Sequence, residues 1–325
     1  MMGSGRHREK RITLARLPSG VEVATTVHRY GPSNGPHVYV QAAQHGREVN
    51  GTAVCRRLHD RLLEADLRGR VTVVPVVDPL TFDRVSYTTP EIIDSVNANM
   101  NRVWPGDEGG TLHERMAARL WEFVGDADAV VDLHTGSPDM LTHVVYTAGD
   151  EESRRLARSF GADLLLAEKA GDEAPEEWER RRFDGKFRVA AVREGIPAIT
   201  PELRHNKQIL EDAVETGVEG VLNVLRERDV LSGEAPRRDP PIAHDHLGTV
   251  DAVDSGLFRP APDLALGDRL SEGQSLGTLY DPTTYEVLQD PRANNDGILY
   301  ALTKEATVTA GDRLASVAIV DENSG

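Results

Sequence analysis

Short β-rich runs alternate with longer helical stretches between residues 21 and 231, and this alternation limits the folds that the chain can adopt. The runs predicted as buried strands are 37–42, 71–77, 129–133, 143–147 and 198–200. The predicted helices between or after them are 50–63, 112–124 and 208–225. This pattern predicts an α/β fold with a mixed or parallel sheet and helices on both faces. In such sheets, reactive side chains collect where the strands end.

The pattern changes after residue 232. Residues 233–241 are rich in proline and charge and show no periodicity, which is typical of a linker. Beyond them, turn signals recur between short β-rich runs, and no helical window is found over 258–320. We therefore predict an α/β domain at 1–232, a linker at 233–241 and a small β-barrel or sandwich-like domain at 242–325.

The charge of the chain excludes one class of partner. It has 53 Asp+Glu against 37 Lys+Arg, a formal net charge of −16, so it has no excess of cations to neutralise a nucleic-acid backbone. No stretch approaches the ~20 apolar residues of a membrane span, and the charged N-terminus leads into no apolar signal sequence. We therefore expect a cytoplasmic protein that binds neither nucleic acid nor membranes. Whether it forms a homo-oligomer is left open.

The first chemical motif is His45-Gly46-Arg47-Glu48, which lies between a predicted strand and a predicted helix. A strand-to-helix corner with this spacing can turn His45 and Glu48 toward one point, and imidazole with carboxylate is a common pair of zinc ligands. The same spacing also fits an exposed loop histidine beside a glutamate that the helix dipole favours. The motif alone does not decide between these two interpretations.

A second motif, Asp132-Leu133-His134, ends a hydrophobic strand just before Gly136. Alternation along a strand places Asp132 and His134 on the same face, so Asp132 is predicted to support His134 or to contact substrate. The alternative is a polar cap on a core strand. Together with His45 and Glu48, His134 completes two imidazoles and one carboxylate, the ligand count of a catalytic zinc with one open position.

Two further motifs supply groups for binding and proton transfer. Asn101-Arg102 lies in a loop closed by proline and glycine, and a guanidinium fork beside an amide suits capture of a carboxylate. As a lone pair of residues it also fits an ordinary surface loop. Glu202 ends the last strand of the predicted sheet, a position from which it could take a proton from water and deliver it to a leaving amine.

Taken in chain order, the motifs His45-x-x-Glu48, Asn101-Arg102, Asp132-x-His134 and Glu202 resemble the succinylglutamate desuccinylase/aspartoacylase branch of the zinc carboxypeptidase clan. The resemblance covers about residues 20–230 and extends to the small β domain that many members carry. It implies one Zn²⁺ per chain, held by the residues His45, Glu48 and His134. It also implies that Asn101 and Arg102, and in our prediction Asp132, contact the substrate, with Glu202 as general base and then acid. Members carry a further arginine that polarises the scissile carbonyl, and Arg84 is the nearest candidate here.

The leading hypothesis is therefore a zinc-dependent hydrolase that cleaves the amide bond of an N-acylated amino acid or a similar small carboxylate-bearing amide. A metallocarboxypeptidase acting on short peptides would use the same zinc and arginine, and the sequence leaves this alternative open. A third hypothesis is a non-catalytic zinc-binding regulator with the β domain as its interaction surface. Glu202 argues against that hypothesis, because a structural zinc needs no general base and normally has four protein ligands.

Overall fold

The structure is a computed structural model of the 325-residue chain, and it describes residues 7–136, 139–171, 176–236, 238–244, 249–304 and 306–320. In chain order, the strands up to residue 244 are β1 (His7–Arg16), β2 (Glu22–Tyr30), β3 (His37–Ala42), β4 (Arg70–Val74), β5 (Ala129–Gly136), β6 (Asp139–Met140), β7 (His143–Thr147), β8 (Leu164–Glu168), β9 (Ala198–His205) and β10 (Ile242–His244). The α-helices are α1 (Val49–Glu64), α2 (Pro79–Phe82), α3 (Leu112–Trp121), α4 (Glu151–Phe160), α5 (Glu176–Arg180), α6 (Phe187–Arg193) and α7 (Glu211–Glu227).

Nine of these strands form one mixed sheet in the order β1-β2-β4-β3-β5-β9-β7-β8-β10. In its centre, β4, β3, β5 and β9 are mutually parallel, whereas β1, β2 and β7 run antiparallel to a neighbour. Parallel neighbours need a crossover, which the helices supply. The predicted α/β class with a mixed sheet is confirmed.

Helices cover both faces of the sheet because the central strands are apolar on both sides. Val38 and Val40 of β3 pack in one core with Leu58 of α1, while Tyr39 packs in a second core with Phe187 of α6. Successive residues of a strand point to opposite faces, so a strand with apolar residues at every position must be covered twice. All six residues of β3 and all eight of β5 are buried.

The remaining described strands lie near the C-terminus and form two small antiparallel sheets. They are β11 (Thr249–Asp251), β12 (Gly256–Pro260), β13 (Arg269–Leu270), β14 (Gly277–Tyr280), β15 (Val287–Gln289), β16 (Gly297–Leu302), β17 (Thr307–Val308) and β18 (Arg313–Ala318). They enclose a core of their own that includes Phe258, Leu279 and Val317. The all-β character predicted for this region is therefore seen over its described residues.

The two regions are joined by strand pairing as well as by the chain. The short strand β6 pairs with β16, and β10 adds to the edge of the nine-stranded sheet beside β8. The large sheet therefore includes a strand beyond residue 232, while the division of the chain into domains stays a prediction. Among the described residues, no helix has both the length and the apolar character to cross a bilayer. The expected cytoplasmic location likewise stays a prediction.

A buried histidine fastens the loop that connects α2 to α3. His113 Nδ1 lies 2.5 Å from the carbonyl oxygen of Asn97, and its Nε2 lies 3.5 Å from the Asp78 carboxylate. The backbone N–H of His113 donates to Asp94 at 3.0 Å. Burial opposes protonation, but the two carboxylates and the carbonyl raise the pKa of His113 above its ordinary value. This loop carries the Asn101-Arg102 motif, so the histidine helps to hold that motif in place.

Replacing this histidine should make the stability of the protein respond differently to pH. A raised pKa in the folded state stabilises the fold fully below the unfolded value of about 6.5, and the benefit is lost as pH rises through the folded value. We expect His113→Gln to lower the free energy of unfolding by about 1–3 kcal/mol near pH 6 and by less near pH 9. The test is the free energy of unfolding in urea, measured from pH 6 to pH 9, with His205→Gln as the control. A deficit that grows with pH would contradict the prediction.

Candidate active site

Three parallel strands end side by side, and each delivers one of the predicted site residues. β5 lies between β3 and β9, so the carboxyl ends of all three meet at the same edge of the sheet. His45 follows β3, His134 lies near the end of β5, and Glu202 is paired in register with His134 on β9. Open α/β sheets place ligands at this edge, so the topology itself positions a site here.

Glu48 bridges the two predicted histidine ligands. Its Oε1 lies 2.8 Å from His45 Nδ1, and its Oε2 lies 2.9 Å from His134 Nδ1. The backbone N–H of Thr135 donates to Oε2 at 3.2 Å. Burial raises the pKa of Glu48, but the charges of the two imidazoles outweigh this effect and hold it below its ordinary value. The buried Glu48 carboxylate is therefore ionised between two imidazoles.

This group fits a zinc ion. His45, Glu48 and His134 are all buried, and each offers a ligand atom within 4.8 Å of the others. Two imidazoles and one carboxylate are the protein ligands of many catalytic zinc sites, which keep the fourth position for water or substrate. The structure thus brings together the three residues that the sequence predicted as ligands.

A chain of hydrogen bonds holds the Nε2 side of the His134 ring, away from Glu48. Asp132 Oδ2 lies 3.0 Å from His134 Nε2 and accepts from Gln44 Nε2 at 2.6 Å. Trp104 Nε1 donates in turn to the side-chain oxygen of Gln44 at 2.7 Å. Carboxylates that hydrogen-bond a ligand histidine in this way fix its ring orientation and raise its basicity. Asp132 lines the cavity and also contacts His134, so its position is compatible with both predicted roles, support of His134 and contact with substrate.

Glu202 lines the same cavity as the predicted ligands His45, Glu48 and His134. Desolvation raises the pKa of Glu202 to about 7. The charge of His134, and to a smaller extent that of Lys186, lowers this pKa, whereas the charge of Glu48 raises it. Glu202 is partly buried and keeps some contact with solvent. A carboxyl group with a pKa near the working pH can both accept and return a proton, which is what a general base that later acts as an acid requires.

The Asn101-Arg102 pair lines the same cavity. Asn101 is held by its side-chain oxygen, which accepts from the backbone N–H of Phe187 at 2.9 Å. Arg102 lies over the Phe183 ring, 4.6 Å from its centroid, and is hydrogen-bonded to Tyr87. Burial lowers the pKa of Arg102, but an arginine remains charged at neutral pH. A fixed cation beside an amide suits a carboxylate of the substrate.

Arg84 does not reach this cavity. Its side chain is exposed, and Nη1 donates to the carbonyl oxygen of Leu80 at 2.8 Å, on the turn that precedes it. Arg47 lines the cavity instead, and in the sequence it lies between the predicted ligands His45 and Glu48. Its guanidinium lies 4.7 Å from the centroid of the Tyr87 ring, and its Nε is buried with no hydrogen-bond partner among the described residues.

The cavity is basic although the chain is acidic. It measures about 300 Å³, and six basic side chains line it against four acidic ones. The basic residues are Arg47, Arg102, Arg181, Lys186, Arg188 and Arg313. The buried carboxylate of Glu168 pairs with both Lys186 and Arg188. This local excess of positive charge favours an anionic ligand in a protein whose net charge would repel one.

Several lining residues were missed by sequence reasoning. Arg47 could have been noticed, because it lies inside the His45-Glu48 motif. Tyr87 stacks on His45 with ring centroids 4.0 Å apart, but it lies in a loop with no periodic pattern. Tyr300 and Arg313 come from the C-terminal β region, and no local signal connects them to a cavity formed mainly by the nine-stranded sheet.

Comparison with known proteins places these residues in a family context. Residues 34–228 match the model of the succinylglutamate desuccinylase/aspartoacylase catalytic domain. The chain is similar to the N-alpha-acetyl-L-2,4-diaminobutyric acid deacetylase of Halomonas elongata, with 30% identity over 320 residues, covering 94% of this chain and 88% of that protein.

Solved structures share the fold over nearly the whole chain. One is a succinylglutamate desuccinylase/aspartoacylase from Rhodobacter sphaeroides, with a TM-score of 0.80 and 23% identity, covering 100% of this chain and 98% of that chain. Another is the product-bound ectoine utilization protein EutE from Ruegeria pomeroyi, with a TM-score of 0.81 and 21% identity, covering 98% of this chain and 97% of that one. At these identities the likeness establishes the fold, including the C-terminal β region.

The corner at Gly46 should tolerate no side chain. A Cβ built on Gly46 would lie 2.0 Å from the Thr81 carbonyl oxygen, a backbone atom that cannot rotate away. We expect Gly46→Ala to lower the free energy of unfolding by about 1–3 kcal/mol, because the corner and α2 must move apart. The control is Gly125→Ala, whose Cβ would meet only the Trp121 carbonyl oxygen at 3.9 Å. Equal urea midpoints for the two variants would contradict the prediction.

Proposed function

Because the chain belongs to the succinylglutamate desuccinylase/aspartoacylase family, we propose that it is a zinc-dependent deacylase that hydrolyses the amide bond of a small N-acyl amino acid. The family match supports deacylation of an amide. The observation that carries the rest is the buried group of His45, Glu48 and His134, which lies beside Glu202 in a basic cavity. A metal-ligand set, a proton carrier and an anion-binding wall within one cavity are the parts that such a hydrolysis needs.

Zinc is the metal that the donor set favours, and His45, Glu48 and His134 would hold it. When bound there, Zn²⁺ would act as a Lewis acid that polarises the scissile carbonyl and makes water more acidic near neutral pH. Asp132 would keep the His134 ring in the orientation that binding requires, through their 3.0 Å contact. Asn99 lies 3.2 Å from His45 Nε2 and would do the same for the other imidazole.

The chain's own residues account for the proton transfers and the substrate's orientation. Glu202 would accept a proton from the attacking water and then protonate the departing nitrogen, which prevents expulsion of an unstable amide anion. Arg102 and Asn101 would hold the carboxylate of the amino-acid portion. Arg47 would take the part predicted for Arg84 and stabilise negative charge on the carbonyl oxygen, since it lines the cavity and Arg84 does not.

The substrate class follows from cavity size and charge together with the named relative. A cavity of about 300 Å³ admits a single acylated amino acid better than an extended peptide. The relative from Halomonas elongata is named as a deacetylase of an N-acetylated diamino acid. We therefore propose a short acyl group, such as acetyl, on an amino acid with a free carboxylate.

Glu202→Gln tests the catalytic assignment. Glutamine keeps the shape of the side chain but cannot carry the proton, so we expect the zinc content of wild type and a fall in kcat of about 10²–10⁴. The measurements are elemental analysis and the turnover of an N-acetyl amino acid. Glu215→Gln, an exposed change on α7, is the matched control and should keep full activity. Near-normal turnover in Glu202→Gln would refute the assignment.

Arg102→Lys tests carboxylate binding. Lysine keeps the charge but not the two parallel donors of the guanidinium, so KM should rise about tenfold or more with a smaller effect on kcat. The matched control is Arg84→Lys, at an exposed arginine outside the cavity. Steady-state kinetics on one substrate distinguishes the two variants. A raised KM in Arg84→Lys with an unchanged KM in Arg102→Lys would contradict the assignment of carboxylate binding to Arg102.

A further inference from the structure

A second group of histidines lies apart from the active site, between the β1-β2 hairpin and helix α1. His7, His28 and His59 each offer a ring nitrogen within 4.8 Å of the other two. His7 Nε2 and His28 Nδ1 are 3.1 Å apart, and the centroid of the His59 ring lies 5.1 Å from that of His7 and 6.1 Å from that of His28. The deacylase site already described makes no use of these residues.

The three imidazoles come from three elements, the paired strands β1 and β2 and the helix α1. In the antiparallel hairpin, His7 is paired with Tyr30 and Glu9 with His28, so the two histidines are diagonal neighbours. His59 projects from the third turn of α1 toward the same point. The three residues are neither fully buried nor fully exposed, so an ion could reach them from solvent while their rings remain packed.

Tyr30 orients the histidine on the helix. Its hydroxyl oxygen lies 2.7 Å from His59 Nδ1. Burial raises the pKa of Tyr30, so the hydroxyl stays neutral. When this oxygen accepts the Nδ1–H of His59, the other ring nitrogen, Nε2, keeps its lone pair for a ligand. Histidines that bind metals are almost always held through their second nitrogen in this manner.

The two histidines of the strands, His7 and His28, are also in a form that can bind a cation. Burial lowers the pKa of His7 and of His28, and the neighbouring imidazoles lower them further. Neutral imidazoles carry the lone pairs that a metal needs. The 3.1 Å separation of the two nitrogens is close to the ~3.3 Å between two ligands bound to one tetrahedral zinc at about 2.0–2.1 Å. Glu9 Oε2, at 3.8 Å from His28 Nδ1, offers a carboxylate nearby.

We propose that His7, His28 and His59 form a second zinc site, which has a structural role. The ion would link the edge hairpin to α1, the helix that begins directly after the predicted active-site ligand Glu48. Its expected effect is on stability, because a ligand that binds only the folded state raises the melting temperature. The proposal does not depend on the proposed deacylation, since no residue is shared between the two sites.

Zinc content of the full-length protein tests the proposal. After loading with Zn²⁺ and removal of free ion, we expect two equivalents in wild type and one in His59→Gln. The reciprocal variant, His45→Ala, should also retain one, because it removes a ligand of the other site. His205→Gln, a histidine of β9 outside both groups, is the matched control and should retain two. One equivalent in wild type, unchanged in His59→Gln, would overturn the proposal.

Thermal unfolding gives a readout that is independent of catalysis. Added Zn²⁺ should raise the melting temperature of metal-stripped His45→Ala, which keeps the second site, and should not raise that of the double variant His45→Ala/His59→Gln. A second double variant, His45→Ala/His7→Gln, changes the edge strand β1 instead and serves the same purpose if the change on α1 prevents folding. An equal shift in His45→Ala and in both double variants would show that the ion binds elsewhere and would overturn the proposal.

Discussion

The carboxylate of Glu48 is the constraint on which the rest of the site depends. A buried charge is tolerated only when it is paired and hydrogen-bonded, and Glu48 meets that condition with one histidine on each oxygen and a backbone N–H of Thr135. These contacts fix the corner after β3 against the end of β5. The corner in turn passes so close to α2 that only glycine fits at Gly46. The sheet, the corner and the group of His45, Glu48 and His134 are therefore parts of one arrangement.

Much of this arrangement could be predicted from the sequence, because its parts are local. Apolar runs define β3 and β5, and His45, Glu48 and His134 follow directly where those runs end. The carboxyl ends of parallel strands share one edge, so residues distant in the chain can be placed together without further information. The hairpin of β1 and β2 was not predicted, since β1 is exposed at most positions and shows only weak alternation.

What could not be predicted depends on contacts between distant parts of the chain. The direction of Arg84 is set by its bond to Leu80 and that of Arg47 by its stacking on Tyr87, and neither contact has a sequence period. The pairing of β6 with β16 brings the C-terminal region against the cavity, where it contributes Tyr300 and Arg313. This gives the β region a role in shaping the site, for which its own sequence carries no motif.

We propose that the protein hydrolyses the amide of a single acylated amino acid in its basic cavity. The most direct test compares kcat/KM of the zinc-loaded protein for an N-acetyl amino acid and for a short peptide that ends in the same residue. We expect release of acetate from the N-acetyl amino acid and a much lower rate of hydrolysis of the peptide. Faster release of the C-terminal residue from the peptide, or no hydrolysis of either compound, would contradict it.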